Sequence, residues 1–269
     1  MNRINACFDA IKKNNKKALI PFITAGDPSS RVTVSIMHEL VLAGSDIIEL
    51  GVPFSDPMAD GPIIQRASER ALAQGTNTDD VFKIVEEFRG YDEVTPIILM
   101  GYLNPIEIMG YKNFVDKAAK AGVDGLIVVD LPPEESIGLQ EVLKPYDIDQ
   151  IFLLSPTTIN ERLSKICEIA AGFLYYVSLK GVTGSDKLDI KLVKEKIYEI
   201  KSKTTLPLAV GFGIKDSKIA KAVGEISDAV VIGSALVNII ANHANDVDVM
   251  KKTIRSFIQN LREALDSIQ

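Results

Sequence analysis

Glu49, Asp56 and Asp60 fall within one short stretch that runs from Ser45 to Pro62. Ile47 and Ile48 read as the buried end of a strand, Glu49 comes where that strand should finish, and the loop behind it, rich in Pro, Gly and Asp, carries the two aspartates. A carboxylate that ends an apolar strand is expected to be partly desolvated. Desolvation disfavours its charged form and raises its pKa from about 4.3 toward neutrality, which suits a group that must give and take a proton in one cycle. Asp60, on a polar loop, is expected to stay ionised more readily and to stabilise a developing cation or accept an N–H, so the two acids would divide the work. Asp56, before Pro57, also reads as a turn former.

Two glycine clusters offer different chemistry. Gly211-Phe212-Gly213-Ile214 and Gly233-Ser234-Ala235 each follow an apolar run. Glycine lets the backbone approach a ligand closely, and free N–H groups at a helix start, helped by a serine hydroxyl, attract a phosphate dianion. A third segment, Gly181-Val182-Thr183-Gly184, opens a polar stretch that reaches Asp189. It reads either as a loop that closes over substrate and excludes water or as an ordinary surface loop with glycine turns.

The elements that must position these groups are legible as an alternation. Short apolar runs at residues 18–24, 46–50, 96–100, 125–130, 150–154, 173–178, 207–211 and 229–232 are nearly continuously hydrophobic, as parallel strands covered on both faces are. Between them lie stretches of helical period. After Ser29 and Ser30 as candidate N-caps, Val32, Ile36, Met37, Leu40 and Val41 share one stripe that stops at Gly44. Residues 115–121 end at Gly122, residues 134–143 precede Pro145, residues 190–200 lead to the next strand, and Met250, Ile254, Phe257, Ile258, Leu261 and Leu265 keep the spacing near the end. Eight such units over 269 residues predict one α/β domain spanning residues 1–269, an eight-stranded parallel (β/α)8 TIM barrel. An open doubly wound sheet shares the alternation, but Thr24-Ala25-Gly26-Asp27-Pro28 after the first strand lacks the dinucleotide fingerprint. The opening segment reads as an extra N-terminal amphipathic helix, with Ile4, Phe8 and Ile11 turned inward to plug the far end of the barrel.

Composition excludes several classes. Thirty basic against 36 acidic residues give a net charge of −6, which argues against a nucleic-acid surface, since phosphate attraction needs a basic stripe. No apolar run approaches membrane-spanning length. Cys7 and Cys167 stand apart, with no C-x-x-C, and read as inert buried thiols of a reducing, cytoplasmic compartment. His38 and His243 have no partner at metal-ligand spacing, so no metal site is expected.

Beyond these physical readings, residues 48–61, with the order Glu49-Leu50-Gly51-Val52-Pro53-Phe54-Ser55-Asp56-Pro57-Met58-Ala59-Asp60, resemble the signature of the tryptophan synthase alpha-subunit family. So do Phe22-Ile23-Thr24-Ala25-Gly26-Asp27-Pro28, Met100-Gly101-Tyr102-Leu103-Asn104-Pro105, Asp130-Leu131-Pro132-Pro133-Glu134-Glu135, Gly181 to Gly184, and Gly211 to Ile214. The similarity covers essentially the whole chain in order.

The resemblance implies a cofactor-free lyase that splits indole-3-glycerol phosphate to indole and glyceraldehyde 3-phosphate in tryptophan biosynthesis. It assigns Glu49 the proton transfers at the indole carbon and the side-chain hydroxyl, and Asp60 the ring N–H. Thr183 would orient Asp60, Tyr175 would lie near Glu49, and Phe22 and Tyr102 would border the indole pocket. Gly184, Phe212, Gly213, Gly233 and Ser234 would hold the phosphate. It implies a pyridoxal-phosphate-dependent beta subunit as partner in an alpha2-beta2 tetramer, met by Pro53, Phe54, Asp56, Pro57 and Asn104, with indole passing through a tunnel. Leu179-Lys180 departs from the family pattern, where many members carry Arg or small polar residues. As aromatics in barrel strands, Phe22 and Tyr175 would otherwise be read as core. A sugar-phosphate isomerase on the same scaffold would share the glycine clusters but needs a metal cluster or paired aspartates on opposite strands. A catalytically silent scaffold subunit should have lost Glu49 and Asp60.

Overall fold

A computed structural model describes residues 2–177, 190–211 and 213–268. Its strands are β1 Ala18–Thr24, β2 Ile48–Gly51, β3 Ile97–Gly101, β4 Gly125–Val128, β5 Asp149–Gln150, β6 Phe152–Leu154, β7 Leu174–Val177, β8 Leu208–Gly211 and β9 Ala229–Ile232. Every pairing is parallel, in the order β5-β4-β3-β2-β1-β9-β8-β7-β6. The strand expected at residues 150–154 is two segments rather than one. Asp149 and Gln150 pair with β4, the Ile151 N–H still donates to the Leu126 carbonyl at 3.0 Å, and Phe152 onward pairs with β7. One stretch of chain thus turns from one neighbour to the other at Ile151 and closes the ring, so nine segments make the eight expected staves.

The helices are α1 Arg3–Lys13, α2 Ser30–Leu42, α3 Pro62–Ala73, α4 Thr78–Arg89, α5 Leu103–Met109, α6 Tyr111–Ala121, α7 Ile137–Leu143, α8 Asn160–Ile169, α9 Ile190–Lys201, α10 Ser217–Gly224, α11 Ser234–Asn242 and α12 Val247–Asp266. The segment read as one helix over residues 134–143 is a 3₁₀ turn, Pro133–Glu135, followed by α7. Ser29 is the N-cap of α2, as its type suggests, but its side chain makes no capping bond. Asn77 does cap α4, accepting from the Asp79 and Asp80 N–H groups in a capping box.

Strand residues of one parity face the helices, where Leu19, Ile48, Leu50, Leu99, Leu126, Tyr176 and Val230 join one large core. The other parity fills the barrel with Ala18, Ile20, Ile47, Ile98, Ile127, Ile151, Phe173, Ala209, Ala229 and Val231. Helix α1 seals the end of this interior, as its stripe predicts: Ile4, Phe8 and Ile11 are buried, and the Phe8 and Phe173 rings lie 5.6 Å apart. The plug is also tied by polar contacts. Asn2 donates to Asp149 Oδ2 at 2.7 Å and Arg3 to Asp124 Oδ1 at 2.8 Å.

The two cysteines are half-buried rather than buried. Burial, with help from the Asp46 charge, pushes the Cys7 thiol up to about 12, and burial raises Cys167 as well. Neither is poised as a thiolate, so the inert reading holds for a different degree of burial.

Candidate active site

Glu49 belongs to the inward parity of β2, opposite Phe22 of β1 and Ile98 of β3. It is 1% exposed, drier than a strand-end position suggests, because β2 continues to Gly51 and sets the acid one layer below the rim. Neither carboxylate oxygen has a hydrogen-bond partner among the described residues. Desolvation with no compensating donor raises its pKa from 4.5 to about 8. At neutral pH the side chain is mostly protonated.

Tyr175 of β7 is buried close enough for the Glu49 charge to raise its phenol pKa further, after desolvation as the main cause. A Cβ on Gly211, at the end of β8, would overlap the Tyr175 hydroxyl. A Cβ on Gly51 would come within 2.6 Å of Phe22 Cζ, and one on Gly233 would lie 3.8 Å from Phe22 Cβ. Glycines at the ends of β2 and β8 thus make room for the Phe22 and Tyr175 rings beside the acid, while Gly233 meets Phe22 only at ordinary contact distance.

Above this layer is a narrow cleft. Phe22, Thr24, Gly51, Val52, Asp60, Ile64, Ser68, Met100, Gly101, Tyr102 and Val129 line it. Glu49 is not among them; its carboxyl lies beneath the strand ends that are. Asp60 closes one side. Its carboxylate accepts from the Tyr102 hydroxyl at 3.0 Å, and its carbonyl accepts from Gln65 Nε2 at 2.9 Å. Burial raises the Asp60 pKa and the Tyr102 hydrogen bond works against that rise. The expectation of an easily ionised Asp60 therefore needs correction: its loop is polar and mostly exposed, but the Asp60 side chain itself is half-buried against Tyr102. The contrast between the two acids survives through hydrogen bonding, since Asp60 has a donor and Glu49 has none.

Sequence reading missed Thr24, Ile64, Ser68, Met100 and Val129. Ile64 and Ser68 stand on α3, whose signal is present in the chain: Pro62 at its first turn after Gly61, then Ile63, Ile64, Ala67 and Ala71 at helical spacing. Arg70 on the same helix forks onto Asp27 at 2.8 and 2.7 Å, fixing α3 to the turn after β1.

Of the expected phosphate ligands, Gly213 is exposed at φ 76°, with open space where a Cβ would stand. Gly233 and the exposed Ser234 sit at the start of α11, whose first N–H groups have no intrahelical acceptor. Thr183, Gly184, Phe212 and the Leu179-Lys180 pair lie outside the described residues. On the loop after β2, Pro53 is buried, Phe54 and Pro57 are half-buried and Asp56 is exposed, as is Asn104 on α5. Met58 and Ile108 expose most of their apolar side chains nearby in sequence. Among the described residues no group of three or more His, Cys, Asp or Glu could hold a metal ion, and no helix is long and apolar enough to cross a membrane.

A closed parallel barrel with a dry acid near its carboxyl rim and glycine-rich turns on its last strands defines the class, a (β/α)8 barrel whose candidate site is fitted for proton transfer. The family profile described as Tryptophan synthase alpha chain matches residues 8–266. A tryptophan synthase alpha chain of Marinobacter nauticus is 53% identical over 268 residues, 100% of this chain and 99% of that one. The crystal structure of tryptophan synthase subunit alpha from Legionella pneumophila superposes with a TM-score of 0.93 at 47% identity, covering all of both chains. A chain of the tryptophan synthase complex from Pyrococcus furiosus gives 0.82 at 36% identity, with 91% of this chain and 98% of that one covered. The chain belongs to the tryptophan synthase alpha chain family.

Proposed function

We propose that Glu49 and Asp60 share the proton chemistry of the alpha reaction in this chain. The chain is a carbon–carbon lyase of tryptophan biosynthesis that cleaves indole-3-glycerol phosphate to indole and glyceraldehyde 3-phosphate. In the forward direction Glu49, protonated at rest, delivers its proton to the indole carbon that bears the side chain. The resulting carboxylate takes the proton of the side-chain hydroxyl as the carbon–carbon bond breaks, and aldehyde and indole separate with Glu49 again protonated. Asp60, ionised, accepts the ring N–H and steadies the cationic tautomer between the two steps. The observation that carries this reading is the Glu49 carboxyl, 1% exposed and without a partner among the described residues, raised to about 8. A group so placed returns to its starting state within one turnover near neutral pH.

The phosphate is assigned to the turns after β8 and β9, with Gly213, Gly233 and Ser234 contributing and Phe212 and Gly184 completing the set, while Thr183 orients Asp60. Gly213→Val puts a branched side chain on a backbone at positive φ in open space. It should weaken inorganic phosphate and substrate binding about tenfold, roughly the worth of one lost hydrogen bond to a charged group, with kcat little changed. Unaltered affinity by calorimetry would remove this turn from the phosphate site.

The chemistry is acid–base throughout, so the chain is assigned no cofactor of its own. Pyridoxal phosphate belongs to the beta subunit, the partner expected at Pro53, Phe54, Asp56, Pro57 and Asn104 in an alpha2-beta2 assembly of the cytoplasm. The test mixes purified chain with indole and glyceraldehyde 3-phosphate, then with a sugar-phosphate panel, following indole loss with and without a beta subunit. Slow turnover alone and faster turnover in the mixture is the expected result. Activity confined to sugar phosphates would identify the isomerase that shares this scaffold.

A further inference from the structure

Tyr102 stands between β3 and α5 at the wall of the cleft, and its ring and hydroxyl face different parts of the loop after β2. The hydroxyl donates to Asp60 Oδ2 at 3.0 Å and accepts from the Ala59 N–H, also at 3.0 Å. With its donor and one acceptor position both used on adjacent loop residues, it is a two-point clasp. The ring packs on Phe54 with centroids 5.2 Å apart and planes inclined by 31°. Gln65 of α3 holds the same loop from the other side, through the Asp60 carbonyl at 2.9 Å and the Pro57 carbonyl at 3.4 Å. Tyr102 is 4% exposed, so water does not compete freely for its hydroxyl.

We propose that Tyr102 is a positioning residue for Asp60: its hydroxyl occupies Oδ2, orients the carboxylate plane, and leaves Oδ1 as the acceptor offered to the ring N–H of the substrate. This rests on the assignment of Asp60 to that N–H. A carboxylate on a loop rich in Pro and Gly has rotational freedom that must be removed before it can accept one particular hydrogen bond, and a neighbouring hydroxyl bonded to it removes that freedom in advance. Wall packing alone would require the ring of Tyr102 but not its hydroxyl. The clasp on both Ala59 and Asp60 is what calls for the oxygen. Phe54 and Asp60 share this one anchor, so the half of the loop assigned to the partner and the half assigned to the substrate are held from a single side chain.

The test is calorimetric and uses the full chain with two probes, an indolylpropyl phosphate and its benzofuranyl counterpart, in which ring oxygen replaces N–H. Tyr102→Phe keeps the ring against Phe54 and deletes the hydroxyl. It should weaken the indolyl probe roughly five- to tenfold, as for loss of one hydrogen bond's worth of positioning, and leave the benzofuranyl probe unchanged. Equal weakening of both probes would mean that Tyr102 only shapes the wall, and no weakening of either would mean that Asp60 is positioned without it; either result overturns the proposal. Asp60→Ala run in parallel separates the underlying assignment. If Asp60→Ala does not discriminate between the probes, the N–H is not held by Asp60. If it does and Tyr102→Phe does not, only the positioning role fails.

Discussion

Glu49→Gln should bind an indolyl phosphate as the parent does while turning over about a thousandfold more slowly, the middle of the range for removing a general acid–base group. Glutamine has the shape of the protonated acid but neither delivers nor takes a proton, so binding survives and kcat falls with kcat/KM. The pH profile gives a second signature. The forward reaction needs Glu49 protonated, so the parent rate should fall as pH rises through about 8, and this limb should be missing from the residual rate of the variant. The acidic limb follows Asp60, whose pKa is raised by burial and restrained by Tyr102. Turnover within tenfold of the parent would remove Glu49 from the mechanism.

The same burial that makes Glu49 useful costs stability. Its pKa moves from 4.5 in the open chain to about 8 in the fold, so between these values the native state binds the proton and the unfolded state does not. Stability therefore declines as pH rises through that window, by on the order of 5 kcal/mol once both states are ionised. Below about 4.5 both states are protonated and the group contributes nothing. Glu49→Gln abolishes the dependence. Urea titrations should find parent and variant close at pH 5 and the variant the more stable at pH 9. An acid retained at this expense, with no donor among the described residues to relieve it, is the pattern of a site built for chemistry.

How much of this was legible in the chain varies with the range of the interaction responsible. The barrel and its N-terminal plug follow from continuous apolar runs that alternate with stretches of period three to four, which local sequence carries. Ile4, Phe8 and Ile11 announce themselves by spacing alone. The break at Ile151 does not, because it arises from the change of neighbour from β4 to β7. Asp60 was read as readily ionised because its loop is polar, yet its environment is set by Tyr102, just after β3, and Gln65 from α3. Glu49 was read as half-dry for a related reason: the strand looked finished at residue 50, while pairing with β1 and β3 carries it to Gly51. Both errors lie in tertiary contacts that one segment cannot report. The roles of Phe22 and Tyr175 came from resemblance. Their physical counterpart, the glycines at 51 and 211 that make room for them, emerges only when strand ends are brought together.

Asp124 illustrates the same limit at the opposite end of the barrel and carries the largest loss of stability expected of a substitution. It stands just before β4, 4% exposed, and nothing in its local sequence distinguishes it from a turn residue. In the fold it accepts from Arg3 Nη1 at 2.8 Å, Arg89 Nη2 at 2.7 Å and the Ile97 N–H at 2.8 Å, joining the plug helix, α4 and β3. Arg89, with its side chain only 10% exposed, also donates to the carbonyls of Gly122 and Thr95 and so cannot leave for solvent. Burial pulls its pKa down and the Asp124 charge holds it up. Asp124→Ala would strand that guanidinium and should cost about 3 kcal/mol or more, as breaking a buried pair from one side does. Asp116→Ala, which breaks the exposed pair with Lys112, should cost less than about 1 kcal/mol. Because Asp124 lies at the amino-terminal face of the strands, where such residues serve stability, kcat of the folded variant should be unchanged. A urea-derived loss below that of Asp116→Ala would show that the Arg89 carbonyl contacts alone suffice, and that the plug is held by Ile4, Phe8 and Ile11 without help from the charge cluster.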